Sequence, residues 1–298
     1  MQWFQIKEQS AGKKRLILTW LLYKTFGKKI LYIIAFLVAF FTFIFASDIR
    51  SYAKKYFMVS NPYLNIKPTL FNQFKLIYSY AQSLADKILV YCGDFNSENV
   101  IFENKENEKE LFEHIKNKKG AFFICNHIGN VEIFQSHFLK DKKGFNFNIN
   151  INIFMSHKQS QIFNGFLEKI KKDYPIKLFP VEEIGINTGL ELKENLNKGD
   201  IVFIAGDRIS QKNNIKNIKI KMFNKDIFLP KGTFKLAKLM DAPTYFISVI
   251  KKEGKYRIYM ERQNDLSEQN ITRNFIKFME RIIKINPFQF FNFYDFFN

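Results

Sequence analysis

Between Ile30 and Ser47 the chain reads ILYIIAFLVAFFTFIFAS, without one charged side chain. As a helix rising 1.5 Å per residue this run is about 27 Å long, near the lower limit for crossing a hydrocarbon core of roughly 30 Å. Lys13, Lys14, Arg15, Lys24, Lys28 and Lys29 precede it, and Arg50, Lys54 and Lys55 follow. Both flanks are basic, so the positive-inside rule gives no orientation. The run starts too late for a signal peptide and has no small-residue cleavage site after it. Three readings stay open: a short transmembrane helix, a helix or hairpin dipping into one leaflet with its basic flanks on anionic headgroups, and a buried core helix. The upstream piece LILTWLLYKTF, from Leu16, is amphipathic enough to lie on a membrane as well. The organisation expected is an N-terminal membrane-anchoring helical segment over 1–60 and a catalytic domain over 61–298.

Composition excludes a disordered chain: 47% of the 298 residues are hydrophobic, and 36 are Phe. The formal charge of +18 favours an acidic partner, whether nucleic acid, an anionic membrane surface or an acidic carrier protein. The abundance of Lys, Ile, Asn and Phe also matches the codon usage of an AT-rich genome, which accounts for part of that charge without function. Cys92 and Cys125 are the two cysteines and have no paired spacing, so neither a disulfide framework nor a thiolate metal site is suggested. A reducing, cytoplasmic-side compartment fits.

From Ala121 onward, apolar runs rich in β-formers alternate with helical patterns. Strands are predicted at 121–126, 149–157, 201–205, 217–223, 244–250 and 255–261. Helices are predicted at about 129–140, 159–171, 189–197 and 272–284, with another opening near Lys231. This pattern predicts an α/β fold, a mixed, mostly parallel sheet flanked by helices.

The first predicted strand runs into Asn126-His127-Ile128-Gly129-Asn130-Val131-Glu132 at the point where a helix begins. Sites of α/β sheets collect at strand ends. Histidine is the side chain suited to removing a proton from an alcohol near neutral pH, and a carboxylate on its other ring nitrogen would fix the tautomer. Glu132 is the expected partner of His127. Five positions on one helix would set the two side chains about 140° apart, so His127 belongs in the loop and Glu132 in the first turns of the helix. Gly129 permits the backbone bend this needs, and amides exposed there would face a developing oxyanion. Taken alone, a motif of this kind is more often a hydrogen-bonded core histidine. Cys125 lies inside the apolar strand and reads as core rather than nucleophile.

NHIGNVE after an apolar strand resembles the HX4(D/E) block of the lysophospholipid acyltransferase superfamily, which includes glycerol-phosphate acyltransferases and the late acyltransferases of lipid A synthesis. The stretches 182–208, 228–249 and 286–297, and the N-terminal QWFQIKEQSAGKK, are similar to a bacterial branch described as predicted acyltransferases. The resemblance implies a glycerolipid acyltransferase-like fold with His127 as general base and Glu132 as its partner. Glu rather than Asp in that position points towards the lipid A-type branches and away from ordinary phosphatidic acid synthesis. It also implies that Asn130, Asp207 and Arg208 contact the acceptor, with Arg208 suited to bidentate recognition of a headgroup or phosphate. Lys231 and Gly232, opening a helix after Pro230, would add an anion contact. His157 and Asn164 fall in another matching block and read as structural.

The expected activity is transfer of an acyl chain from a thioester to a hydroxyl or amine of a membrane lipid or lipid A-like glycolipid at the cytoplasmic face of the inner membrane. No metal or cofactor is implied. Acyl carrier protein is the favoured donor, because an acidic carrier suits a basic surface, and coenzyme A is the alternative. A thioesterase or lipase-like hydrolase would use the same two residues with water as acceptor. A non-enzymatic basic membrane-attached binder is the third reading, although no nucleic-acid motif supports it.

Overall fold

The computed structural model describes residues 13–135, 149–156, 164–166, 175–209 and 217–297. Four helices come first: α1 (Lys13–Phe26), α2 (Lys28–Phe45), α3 (Ser47–Leu64) and α4 (Leu70–Cys92). Thr69 caps α4, its hydroxyl accepting from the Asn72 amide at 3.2 Å, and Gly93 ends it in the left-handed conformation. The rest alternates strands and helices: β1 (Val100–Phe102), α5 (Lys105–Lys116), β2 (Ala121–Gly129), β3 (Ile151–Met155), β4 (Ile176–Pro180), α6 (Ile186–Asn197) and β5 (Ile201–Ala205). The chain continues through β6 (Asn217–Met222), β7 (Lys225–Pro230), α7 (Lys231–Met240), β8 (Thr244–Lys252), β9 (Lys255–Gln263) and α8 (Glu268–Ile285).

Among the described residues, seven strands form one sheet in the order β1-β9-β8-β2-β5-β3-β4, and β6 and β7 form a separate antiparallel hairpin. Every neighbouring pair in the large sheet is parallel except β8–β9, a hairpin. The mixed, mostly parallel sheet flanked by helices is therefore the one the sequence predicts. β2 reads as an unbroken apolar run because both its faces are covered. Phe122 and Ile124 point into a core shared with α6, α7 and α8, whereas Ala121, Phe123 and Cys125 point into a second core shared with α2, α4 and α5. In the second core the Phe123 ring stacks on Phe203 at 4.8 Å and on Tyr245 at 5.6 Å.

The predicted strand at 149–157 is shorter in the structure, β3 ending at Met155. The helix predicted over 129–140 starts at Glu132 and is described to Gln135. His157 and most of the helix predicted over 159–171 lie outside the described residues, while Asn164 is exposed in a short helical stretch.

Candidate active site

β2 and β5 are parallel neighbours whose registered pairs end with Cys125 opposite Ala205. Two residues further along stand His127, still within β2, and Asp207, in the bend that follows β5. Asp207 accepts two hydrogen bonds from His127, one from the main-chain amide at 2.8 Å and one from ring Nδ1 at 2.8 Å. A third comes from Asn292 Nδ2 at 3.0 Å, and Tyr294 donates its hydroxyl to the Asp207 carbonyl at 2.9 Å. Asp207 has no exposed surface, whereas the His127 side chain keeps 31% of its own. A carboxylate so placed only accepts, so Nδ1 bears the hydrogen and the Nε2 lone pair is directed elsewhere. Among the described residues no protein group bonds Nε2.

Glycines allow this approach at two points. Gly129 sits at a φ of +78°, and a Cβ there would stand 1.9 Å from the Val249 carbonyl oxygen, where the β2–β8 register shifts. Gly206 packs against Ile124 and Phe275, and a Cβ would come within 2.8 Å of both side chains. The C-terminal segment closes the same region. Phe291 donates its amide to the His127 carbonyl at 2.8 Å, and Ile128 bridges Phe290.

Glu132 is the carboxylate expected beside His127, but the hydrogen bond on the ring runs to Asp207. Glu132, at the start of the helix after β2, instead forms an ion pair with Lys87 of α4 at 2.5 Å. Asp207, fully buried, lies against ring Nδ1. The oxyanion expectation for the bend also changes: the amides of His127, Ile128 and Asn130 are taken by Asp207, by Asn126 Oδ1 at 3.1 Å and by the Val249 carbonyl at 2.8 Å. Asn130 is buried and donates Nδ2 to the Ser83 carbonyl of α4 at 3.0 Å, which fastens α4 to the motif. Lys231 pairs with Glu268 at 2.9 Å, so its charge is engaged by α8. Gly232 beside it has open space where a side chain would be. Sequence reasoning missed Lys87, Asn292 and Tyr294, which come from a helix and a tail with no local link to the motif.

Burial and the Arg208 guanidinium pull the His127 imidazole below its ordinary value of 6.5, more than the Asp207 carboxylate raises it. Burial alone would raise Asp207, but His127, Arg208 and Asn292 hold it down at about 2. Near neutral pH the pair is therefore a carboxylate beside a neutral imidazole, the state a general base requires. Burial pushes the Cys125 thiol far up, so it is not a nucleophile. Activity should therefore persist below pH 6.5 and fall as His127 takes up its proton. Arg208→Gln removes a cation, lets the ring hold its proton to higher pH, and should move the acid limb of kcat/KM upward. A limb that stays in place in the variant would contradict the electrostatic arrangement.

Residues 50–297 match the family model described as bacterial lipid A biosynthesis acyltransferase, a span covering all but the first helices of the chain and its last residue. No curated protein matches the chain.

Proposed function

The chain belongs to the bacterial lipid A biosynthesis acyltransferases, and we propose that it moves a fatty acyl chain from an acyl thioester to a hydroxyl or amine of a membrane lipid or lipid A-like glycolipid, with His127 as base. The observation that supports this most is the 2.8 Å hydrogen bond from His127 Nδ1 to the buried Asp207, which leaves Nε2 as the proton acceptor. The acceptor hydroxyl gives its proton to Nε2 as its oxygen attacks the thioester carbonyl. The C–O bond forms, the C–S bond breaks, and the departing sulfur takes the proton from the imidazolium. A thiol pKa of about 8.5 makes that leaving group an easy one, so the site needs little acid assistance.

The cation near the base suits an anionic substrate. Arg208 lowers the proton affinity of the His127 ring, so it lies within electrostatic reach of it, and a phosphate-bearing headgroup or carrier arm would meet it there. The net charge of +18 suits an acidic acyl carrier protein as donor, with coenzyme A as the alternative. An exposed apolar helix near the N-terminus and the family together give membrane association. We place the protein at the inner membrane with the catalytic domain on the cytoplasmic face, where acyl thioesters are made.

The test incubates the detergent-purified protein with labelled acyl carrier protein or acyl-coenzyme A and a lipid extract of its own membranes. The expected product, read by mass spectrometry, is a lipid heavier by one acyl chain. Free fatty acid with no acylated lipid would make the protein a hydrolase instead.

A further inference from the structure

α2 is the apolar run of the sequence, but it does not stand away from the body of the protein. It packs lengthwise and antiparallel against α4. Near its start, Lys28 donates to the Asp94 carbonyl at 2.8 Å and Tyr32 donates to Asp86 at 2.6 Å. In its middle, the Phe36 ring meets Tyr78 at 5.7 Å and Phe74 at 6.1 Å. Towards its end, Phe43 meets Phe74 at 5.6 Å, and Arg50 of α3 donates to the free carbonyl of Ile44 at 2.6 Å. Tyr256 and Lys251 of the sheet also bond Asp86, so the start of α2 is tied through α4 to β8 and β9.

Only Leu31, Ala35 and Ala39 of its eighteen residues are buried, on one line at a spacing of four. Two residues away from each, about 200° round the helix, Ile33, Leu37 and Phe41 form the opposite line, and all three are exposed. Phe40 and Ile44 widen this stripe. A helix of this kind, apolar on the outside and bound along its length to α4, cannot cross a bilayer without drawing α4 in with it. α4 carries Gln73, Lys75, Asp86 and Lys87, of which Gln73 and Asp86 are buried in the protein and Asp86 is ion-paired with Lys251. Such groups are costly at hydrocarbon depth.

We propose that α2 does not span the membrane but lies in its plane, sunk into one anionic leaflet by the face of Ile33, Leu37, Phe40, Phe41 and Ile44. The basic residues at its two ends match that occupant. Lys28 and Lys29 stand at its start and Lys54 beyond its end, placed for phosphate headgroups on either side of the apolar stripe, while Lys24 and Lys55 beside them are ion-paired with Asp94 and Asp295. α4 then serves as both the bed of α2 and a wall of the site, since its Ser83 carbonyl holds Asn130 and its Lys87 holds Glu132. A lipid acceptor would reach His127 from the leaflet in which the protein sits. This placement stands whether or not the catalytic reading holds.

The test uses the full chain with single cysteines, because the native Cys92 and Cys125 are buried and give little background. Lys29→Cys and Ser47→Cys lie at the two ends of α2, and Lys255→Cys reports the catalytic domain. With a membrane-impermeant maleimide on sealed inverted membrane vesicles, all three should label from the same side. Labelling of Lys29→Cys and Ser47→Cys from opposite sides would overturn the proposal in favour of a spanning helix. Nitroxides at Ile33→Cys, Leu37→Cys and Phe41→Cys in phosphatidylglycerol vesicles should then report equal depth. A spanning helix would set Leu37 about 6 Å deeper than the other two. Equal access of all three to an aqueous quencher would also overturn the proposal and assign the stripe to a protein partner, such as a second copy of the chain.

Discussion

His127→Ala should lower kcat for acyl transfer by about 10²- to 10⁴-fold, the usual contribution of a positioned general base. The chain should remain folded. The substitution removes the Nδ1 hydrogen bond, but the main-chain amide of residue 127 and Asn292 Nδ2 still solvate the Asp207 carboxylate. The stability cost is expected to be about 1–3 kcal/mol, that of leaving part of a buried acceptor unsatisfied, and a thermal melt measures it. Because the imidazole acts on the proton in flight rather than on bound lipid, KM should change far less than kcat. Imidazole added to the solution should restore part of the rate in the Ala variant, which has room for it. A variant that melts like the wild type and transfers acyl chains at the wild-type rate would return His127 to the core.

The sheet was largely legible in the sequence. β2, β5 and β8 are buried on both faces, so they read as continuous apolar runs, and α8 reads from its periodic stripe. Short or half-exposed elements were not singled out: β1 has three residues, and β4 and β7 alternate weakly. α4 escapes as well, because Gln73, Ser83 and Asp86 interrupt its apolar face: Gln73 and Ser83 bond the nearby carbonyls of Pro68 and Tyr80, and Asp86 meets Tyr32 of α2, which no local pattern reveals.

His127 was legible in the sequence as a candidate, and the carboxylate that its ring bonds was not. His127 and Glu132 are close in sequence, which made Glu132 the visible carboxylate. Asp207 is eighty residues away, and its proximity depends on strand order. β3 follows β2 in the chain but adds on the far side of β5, leaving β5 free to pair directly with β2. Once that neighbour is known, the pairing of Cys125 with Ala205 brings the stretches that hold 127 and 207 side by side. Asn292 and Tyr294 belong to an irregular tail, and irregular chain has no periodicity from which a contact can be read. Glu132 was drawn off by Lys87, a residue on a helix that the local sequence does not connect to the motif.

Asp207→Asn is the substitution that separates the two carboxylates. An Asn amide at this position can present its NH2 to Nδ1, which moves the ring hydrogen to Nε2 and removes the lone pair that takes the acceptor's proton. In triads of this geometry the wrong tautomer costs about 10⁴-fold in kcat, and a loss of that order is expected here with KM little changed. Glu132→Gln, which breaks an ion pair with Lys87 and leaves the ring hydrogen bond intact, should cost much less in kcat. A purely structural role for Asp207 would predict lower stability with an unaltered pH profile in the folded fraction. As the carboxylate raises the imidazole's proton affinity, its removal should instead shift the acid limb of the residual activity to lower pH. If Glu132→Gln were the more damaging change, and Asp207→Asn left both rate and limb in place, the working pair would be His127 and Glu132, with the ring turned away from Asp207 during turnover.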